Sequence, residues 1–309
     1  MSNVLLEQVT VVSVSYQSRA IVEAFSDTLK AFPHVVIIDN GSHDGTAAEI
    51  RRCVPHARLI ERSDNIGFGA ANNQAMQQVR TPFALLLNPD SHIEPANLAL
   101  LLDTLARYPT AGAIAPQSWR ADGVPQRCFR QAFYAVPRNK GPYQLAAGTC
   151  CADWLHGCCL LLRTDAFNRI GGFDENFFLY YEDDDLCLRL RQAGFACLFE
   201  PRARARHLGG ASSTADWRTS FIKAFHYARS RHLAIDKYLG RRAGRIYLAK
   251  ILLASAPATL IYAVLLRRKY ALRWAAWGCS AVASAVARRT WHSAKKSIQP
   301  ATRHHDPLA

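Results

Sequence analysis

The sequence predicts an α/β protein with a mostly parallel sheet flanked by helices. The first observation is that short apolar runs rich in β-branched residues alternate with segments of helical spacing. The second is that polar residues follow directly after three of these runs. With 309 residues, 50% of them hydrophobic, the chain is long enough to bury a complete core.

Three predicted strands of the first half are short apolar runs, Val9–Val14, Val35–Ile38 and Phe83–Leu87, and Arg58–Glu61 is strand-like. Helical spacing separates and follows them, over residues 20–31, 46–53, 72–79 and 95–107. Beyond these we expect a strand near Gly112–Pro116 and apolar runs at Trp154–Leu162 and Phe195–Glu200. Because helices link the early strands, the strands should run parallel, with their carboxyl ends at one edge.

Three polar segments stand at predicted strand ends: Ser15-Tyr16, Asp39-Asn40 and Asn88-Pro89-Asp90. Ligands of open α/β sheets bind at this edge, so the segments predict one nucleotide-sized crevice. Asp39 is placed to accept a hydrogen bond from a base, although a plain turn fits it equally. Asp90 is a candidate for a divalent cation bridged to substrate phosphates, although it could simply cap the next helix.

A small-residue loop containing Asn65 and Gly67 leads into the predicted helix of residues 72–79. Glycines allow the backbone to approach a phosphate or sugar closely, and a helix start offers N–H donors. A tight turn would require the same glycines, so both interpretations stay open.

Four consecutive acids, Glu182–Asp185, lie between an aromatic cluster and an amphipathic helix. Acids in a first turn suit the helix dipole, which is the structural explanation. Four adjacent carboxylates repel each other, however, so packing gains nothing from all of them. Asp185 and Arg189 are four residues apart and can pair. Asp183 is then the carboxylate best suited to act as a general base.

The C-terminal third is strongly basic: from Arg202 onward, 21 lysines and arginines face 3 acids, a net charge of +18. Two apolar stretches, Ile246–Leu266 and Ala271–Ala287, lie among these charges. An anionic membrane surface explains both charge and apolarity, whereas nucleic acid explains charge alone, so we expect no nucleic-acid partner. We expect helices in the membrane interface; a spanning hairpin and a buried helical subdomain are the alternatives.

Nine cysteines include the adjacent pairs Cys150-Cys151 and Cys158-Cys159, but no Cys-x-x-Cys motif. This pattern favours reduced, mostly buried thiols in a reducing cytosol. The N-terminus shows no signal-peptide pattern.

Taken together and in order, the motifs resemble an inverting family 2 glycosyltransferase of the GT-A fold. The subset they resemble most is that of bacterial rhamnosyltransferases that build cell-surface polysaccharide. The segments that carry the resemblance are Val11–Tyr16, Asp39–Thr46, Asn65–Asn73, Leu85–Ser91, His156–Arg163, Ile170–Glu175, Glu182–Arg189 and His207–Ser212. They extend over about 200 of the 309 residues.

The resemblance implies a Rossmann-like catalytic domain at residues 1–212 and a helical, membrane-associating region at residues 213–309. It assigns the general base to Asp183 and the metal ion to Asp90 and His207. The implied donor-binding residues are Ser15, Tyr16, Asp39, Asn65, Gly67, Asn88 and Asp90. The implied acceptor-lining residues are Trp154, His156 and Glu182. Asn88 departs from the family pattern, which has Asp at this position of the metal motif.

The implied cofactor is Mg²⁺ or Mn²⁺, and the implied donor is a nucleoside-diphosphate sugar, first of all dTDP-L-rhamnose. UDP-hexoses and UDP-galactofuranose remain open. The implied acceptor is a lipid-linked saccharide, reached from the cytoplasmic face of the bacterial inner membrane by a peripheral or monotopic enzyme. Two alternatives to a glycosyltransferase remain. One is a non-catalytic protein that binds nucleotide sugars, and the other is a nucleotidyltransferase.

Overall fold

The structure is a computed structural model. It describes residues 5–130, 145–208 and 216–297, with side chains only as far as residue 286 in the last range. The chain divides into two compact units, Met1–Ala215 and Asp216–Ala309.

The first unit contains eleven strands among its described residues: β1 Val9–Ser15, β2 His34–Asp39, β3 Arg58–Glu61, β4 Phe83–Leu87, β5 Ser91–Ile93, β6 Ala111–Trp119, β7 Phe129–Arg130, β8 Cys150–Cys151, β9 Trp154–Leu155, β10 Cys159–Arg163 and β11 Ala196–His207. Its helices are α1 Arg19–Leu29, α2 Thr46–Cys53, α3 Phe68–Met76, α4 Pro95–Arg107, α5 Thr164–Arg169 and α6 Glu182–Gln192.

The main sheet has the order β3-β2-β1-β4-β10-β6-β11-β5, with β8 paired to β11. Strands β1 to β4 pair in parallel, as does β6 with β11. The predicted α/β sheet is therefore confirmed, but it includes antiparallel strands that the sequence did not reveal. Strands β5 and β8 pair antiparallel with β11. Strand β10 lies antiparallel between β4 and β6. No crossover helix precedes β10 along the described chain, and a parallel strand would need such a crossover.

Apolar side chains fill both faces of the sheet. One cluster lies around Phe25, Leu98 and Leu101, and the other around Phe167, Phe173 and Leu186. All seven residues of β1 are buried. Burial on both faces explains why the strands read as continuous apolar runs and not as alternating ones.

Helix α3 begins at Phe68, four residues before the predicted start at Asn72. Its preceding residue, Gly67, has a φ of +92°, and a Cβ atom there would lie 2.6 Å from the carbonyl oxygen of Phe178. The Phe68 N–H donates to that same oxygen at 2.9 Å. Gly67 therefore combines an extended backbone of positive φ, which glycine adopts most readily, with close packing against the segment before α6.

The apolar run predicted over Trp154–Leu162 is two strands, β9 and β10, separated by residues 156–158. Strand β9 pairs with β7 in a separate small sheet, while β10 enters the main one. A uniformly apolar run does not show where a chain leaves one sheet for another.

The second unit contains two long helices among its described residues, α7 Trp217–Val264 and α8 Arg268–Ser297. Helix α7 bends at Gly240, whose φ is +85° and ψ is 161°, and Asp216 caps its start by accepting from Thr219 N at 2.7 Å. Within the unit, Leu248, Ile251 and Ala281 form a small buried cluster.

Helix α7 is long and apolar enough to cross a membrane, with a mean hydropathy of 1.6 over its most apolar window. Only 17% of that window is buried. Leu253 is 79% exposed and Val264 73%. Pro257 lies within α7 without ending it.

Strand β11 carries a bulge between Glu200 and Arg204, after which it resumes pairing with β6. The buried Glu200 carboxylate accepts hydrogen bonds from Arg202 N at 3.0 Å, Arg202 Nε at 2.8 Å and Thr149 Oγ1 at 2.6 Å. Burial opposes the charged form, but these donors outweigh it and lower the Glu200 pKa to about 2. Glu200 thus fixes the bulge that directs the end of β11 toward His207.

We expect Glu200→Gln to lower the free energy of unfolding by about 1–3 kcal/mol at pH 7, because the amide cannot accept these charge-assisted bonds as well. A carboxyl with a lowered pKa stabilises the fold above its unfolded pKa. The difference from wild type should therefore shrink as the pH falls from about 4.5 toward about 2. Urea denaturation at several pH values measures it. Glu94→Gln, at a side chain that is 63% exposed, should change stability little.

We expect Gly67→Ala to destabilise the protein more than Gly123→Ala. Both glycines have positive φ, but a Cβ at Gly123 would meet no atom within 4 Å. The control variant therefore shows only the backbone strain of about 1–2 kcal/mol, and the contact with Phe178 should add about 1–3 kcal/mol. If thermal or urea denaturation gave the same loss of stability for both variants, the contact with Phe178 would add nothing to the cost of the substitution.

Candidate active site

The predicted nucleotide edge forms where β1 and β2 end. Ser15 lies opposite Asp39 in the parallel register, and Asn40 N donates to Ser15 O at 2.8 Å. Ser15 and Asp39 are buried, whereas Tyr16 is 43% exposed beside them. Burial raises the Asp39 pKa, although hydrogen bonds from Ser42 oppose that effect. Ser15, Tyr16 and Asp39 therefore form one small surface at the sheet edge.

The side chain of Asn40 fixes the loop of residues 65–67 next to Asp39. Its Nδ2 donates to Asn65 Oδ1 at 2.9 Å, and its Oδ1 accepts from Ile66 N at 3.1 Å. Asn65 Oδ1 also accepts from Gly67 N at 3.0 Å. Asn65 thus stands at the predicted crevice, but its carbonyl oxygen is used in holding the loop. The close approach that Gly67 permits is to Phe178 of its own chain.

The predicted metal residues meet at the end of β4. Asp90 is buried, and its Oδ1 lies 3.5 Å from His207 Nε2. His207 Nδ1 contacts Gln126 Oε1 at 2.9 Å, which orients the ring. Burial opposes the charged form of His207, but Asp90 and Cys158 outweigh it and raise its pKa to about 10. Asn88 lies at the same strand end and donates its N–H to Cys158 O at 3.0 Å.

The four acids that begin α6 have different environments. Asp185 pairs with Arg189, with 2.6 Å between Oδ2 and Nε, as the sequence predicted. Asp184 Oδ1 accepts a hydrogen bond from Arg130 Nη2. Burial and the charge of Asp183 raise the Asp184 pKa to about 8, and they raise the Glu182 pKa well above its usual value.

Asp183 is half-buried, and the three other acids of the run are buried. Gly157 N donates to its Oδ2 at 3.2 Å, and Asp184 N donates to its Oδ1 at 2.9 Å. The structure therefore holds this carboxylate by backbone donors and leaves part of it open to solvent.

The turn before α6 is strained. Tyr180 and Tyr181 both have positive φ, 68° and 69°, a conformation that residues with side chains seldom adopt. Such strain persists only where the surrounding structure enforces it, and it is concentrated at functional sites. Here it turns the chain so that α6 begins with its acids at the site.

The segment His156-Gly157-Cys158 brings the two halves of the site together. Gly157 N contacts Asp183, Cys158 O contacts Asn88 N, and the His156 ring lies 5.5 Å from the His207 ring between centroids. The predicted acceptor-lining residues are close by. Trp154 lies 5.7 Å from His156 between ring centroids, with the Arg130 guanidinium 4.4 Å above the indole. Glu182 is buried, with its Cβ next to Gly69.

Cys158 is a buried residue that sequence reasoning treated only as a thiol of the core. His156 and His207 both contact it: burial would raise its pKa, but the two histidines outweigh burial and lower it to about 5. The same contacts raise the pKa of His156 to about 9 against the effect of burial. The sequence signal was the closeness of His156 and Cys158 in the chain, which the turn between β9 and β10 brings together. Gln126 and Arg130 carry no comparable signal.

Comparison with known proteins identifies the family to which the chain belongs. The chain matches the family described as glycosyl transferase family 2 over residues 10–171, and a second family, described as the N-terminal domain of galactosyltransferase, over residues 151–209. It is similar to the N-acetylglucosaminyl-diphospho-decaprenol L-rhamnosyltransferase of Mycobacterium tuberculosis, with 32% identity over 262 residues that cover 74% of this chain and 85% of that protein.

The rhamnosyltransferase WbbL of Escherichia coli is 29% identical over 213 residues, which cover 62% of this chain and 79% of WbbL. Among solved structures, the mannosyltransferase PcManGT of Pyrobaculum calidifontis, in complex with GDP-Man and Mn²⁺, shares the fold. Its TM-score is 0.53 at 19% identity, over 92% of this chain and 87% of that one. The chain belongs to glycosyl transferase family 2 and has a GT-A fold, so it is a glycosyltransferase.

Proposed function

We propose that the chain moves a sugar from a nucleoside-diphosphate sugar to an acceptor hydroxyl with inversion, and that Asp183 is the general base. The observation that carries the proposal is that the four acids Glu182–Asp185 have different environments. Asp184 and Asp185 are paired with arginines and Glu182 is buried, whereas Asp183 is held by backbone N–H groups and is partly open.

In the proposed reaction, Asp183 takes the proton of the acceptor hydroxyl as the oxygen attacks the anomeric carbon. The new bond forms on the face opposite the diphosphate, and the bond from that carbon to the diphosphate oxygen breaks. One displacement of this kind inverts the anomeric configuration. Gly157 N–H orients the Asp183 carboxylate at 3.2 Å without protonating it.

Asp90 and His207 would hold the Mg²⁺ or Mn²⁺ ion. Their facing atoms lie 3.5 Å apart, close to the separation of about 3 Å that neighbouring ligands of a six-coordinate ion require. When bound, the ion would neutralise charge on the diphosphate leaving group. The metal motif consists of positions 88 and 90. Asn88 adds no charge, so Asp90 supplies the only carboxylate of the two. The Mn²⁺ in the complex of the Pyrobaculum calidifontis mannosyltransferase supports a divalent cation.

We propose dTDP-L-rhamnose as the donor and a lipid-linked saccharide as the acceptor. The names of the two rhamnosyltransferase relatives support the sugar, and the decaprenol-linked substrate in one name supports the acceptor. Ser15, Tyr16 and Asp39 would contact the nucleoside at the strand ends.

A panel of nucleotide sugars tests the donor. Thermal-shift and transfer assays with Mg²⁺ or Mn²⁺ should show the largest effect for dTDP-L-rhamnose. A preference for a UDP-hexose or UDP-galactofuranose would keep the transferase and replace the sugar. Donor binding without transfer to any lipid-linked acceptor would favour a non-catalytic binding protein.

We expect Asp183→Asn to lower kcat by about 10²–10⁴-fold while donor affinity changes little, because the amide cannot accept the hydroxyl proton. Asp103→Asn is the matched control, since Asp103 is 65% exposed in a surface ion pair with Arg107. Steady-state kinetics and donor titration separate the two effects. Wild-type turnover in Asp183→Asn would remove Asp183 from the role of base.

For the second unit we propose attachment to the cytoplasmic face of the membrane through helices in the interface. The exposed apolar residues of α7, followed directly by Arg267, Arg268 and Lys269, support it. Attachment there would bring the enzyme to the membrane that holds a lipid-linked acceptor.

The full-length protein should sediment with vesicles of anionic lipid at low salt and much less with zwitterionic ones. Replacing Arg267, Arg268 and Lys269 together by Gln removes three charges, each worth about 1 kcal/mol, and should weaken anionic binding by about 100-fold. Release of the protein from the vesicles by high salt would support helices in the interface. Resistance to both high salt and alkaline carbonate would support a spanning hairpin. Indifference to anionic vesicles would refute attachment.

A further inference from the structure

Beside the site stands a second set of ligand atoms. One nitrogen of His156, one nitrogen of His207 and the Cys158 Sγ all lie within 4.8 Å of one another. Cys158 is 2% exposed, and both histidines are half-buried. Two imidazoles around a buried thiol are ligands that soft divalent metals prefer, whereas Mg²⁺ prefers oxygen.

The backbone fixes this arrangement from several elements. His156 N donates to Cys128 O at 2.9 Å, and Asn88 N donates to Cys158 O at 3.0 Å. Gln126 Nε2 donates to His207 O at 3.0 Å, while its Oε1 contacts the ring at 2.9 Å. The three ligands are therefore held by β4, β10, β11 and the segment before β7, with ring contacts that serve as an outer shell.

We propose that His156, Cys158 and His207 bind a soft transition-metal ion, of which Zn²⁺ is the best match. Tetrahedral zinc with Zn–S near 2.3 Å and Zn–N near 2.1 Å places ligand atoms about 3.5 Å apart, so the set needs to close by about 1 Å. Small rotations of the histidine rings can supply this. Asp90 Oδ1, 3.5 Å from His207 Nε2, places a carboxylate oxygen beside the set.

This site shares His207 with the proposed Mg²⁺ or Mn²⁺ site, so one ion excludes the other from that ring. Zn²⁺ bound by the thiolate should therefore inhibit sugar transfer, and excess Mg²⁺ should reverse the inhibition poorly. The inference concerns metal binding and stands apart from the identity of the sugar.

The test uses the full chain, freed of metal by a chelator and titrated with Co²⁺ without any sugar nucleotide. We expect about one Co²⁺ per chain with a near-ultraviolet sulfur-to-cobalt charge-transfer band, and its loss when Zn²⁺ is added. Cys158→Ala should abolish the band, whereas Cys159→Ala, at the neighbouring buried thiol, should keep it. His156→Gln should weaken Co²⁺ binding by about 10-fold or more. This second variant tests the proposal even if Cys158→Ala does not fold.

Absence of Co²⁺ binding, binding without the sulfur band, or a band that survives Cys158→Ala would each overturn the proposal. The second result would leave Co²⁺ on oxygen and nitrogen ligands alone, and the third would assign the thiolate to another cysteine. Because no sugar nucleotide is present, none of these results depends on glycosyl transfer, and a failed transfer assay would leave the metal result unaffected.

Discussion

The site depends on the short segment His156-Gly157-Cys158, which contacts the proposed base Asp183, Asn88 of the metal motif and the proposed metal ligand His207. Gly157 N holds the Asp183 carboxylate, Cys158 O holds the Asn88 backbone, and His156 faces His207. The separation between proposed base and proposed metal residues is therefore set by one backbone segment. It can do this because the chain leaves the small sheet after β9 and enters the main sheet at β10, so three residues lie between two fixed strands.

A buried charge and two strained backbone residues, and not apolar packing alone, hold the elements around that segment. Glu200 is fully buried, and its carboxylate fixes a bulge of β11. The part of β11 after this bulge ends at His207 and so positions that residue at the site. Tyr180 and Tyr181 adopt left-handed backbone conformations that set the start of α6, and Gly67 allows α3 to meet the same segment at Phe178. Two of the four non-glycine residues with positive φ in the described part of the chain, and the buried Glu200 carboxylate, thus lie in the elements that position Asp183 and His207.

Much of the fold could be predicted from the sequence because both sheet faces are buried and the early strands other than β3 are apolar runs. Helices α2 and α4 and strands β3 and β4 have the predicted bounds. Partners distant in sequence could not be predicted: the antiparallel place of β10, the Arg130–Asp184 pair and the approach of Cys158 to His207 all depend on tertiary contacts. The acidic run was informative because Asp185 and Arg189 lie at helical spacing, which left Asp183 as the candidate. The assignments of the donor, metal and acceptor residues remain predictions.

A single displacement at the anomeric carbon, assisted by Asp183, is the step that the whole site is proposed to serve. Its most direct measurement is the anomeric configuration of the first product, determined by NMR after the full-length enzyme has acted on a nucleotide sugar and a lipid-linked acceptor. We predict a new glycosidic bond of configuration opposite to that of the donor. A product that retains the donor configuration would contradict the single displacement, because retention requires either two successive displacements or attack from the face of the leaving group.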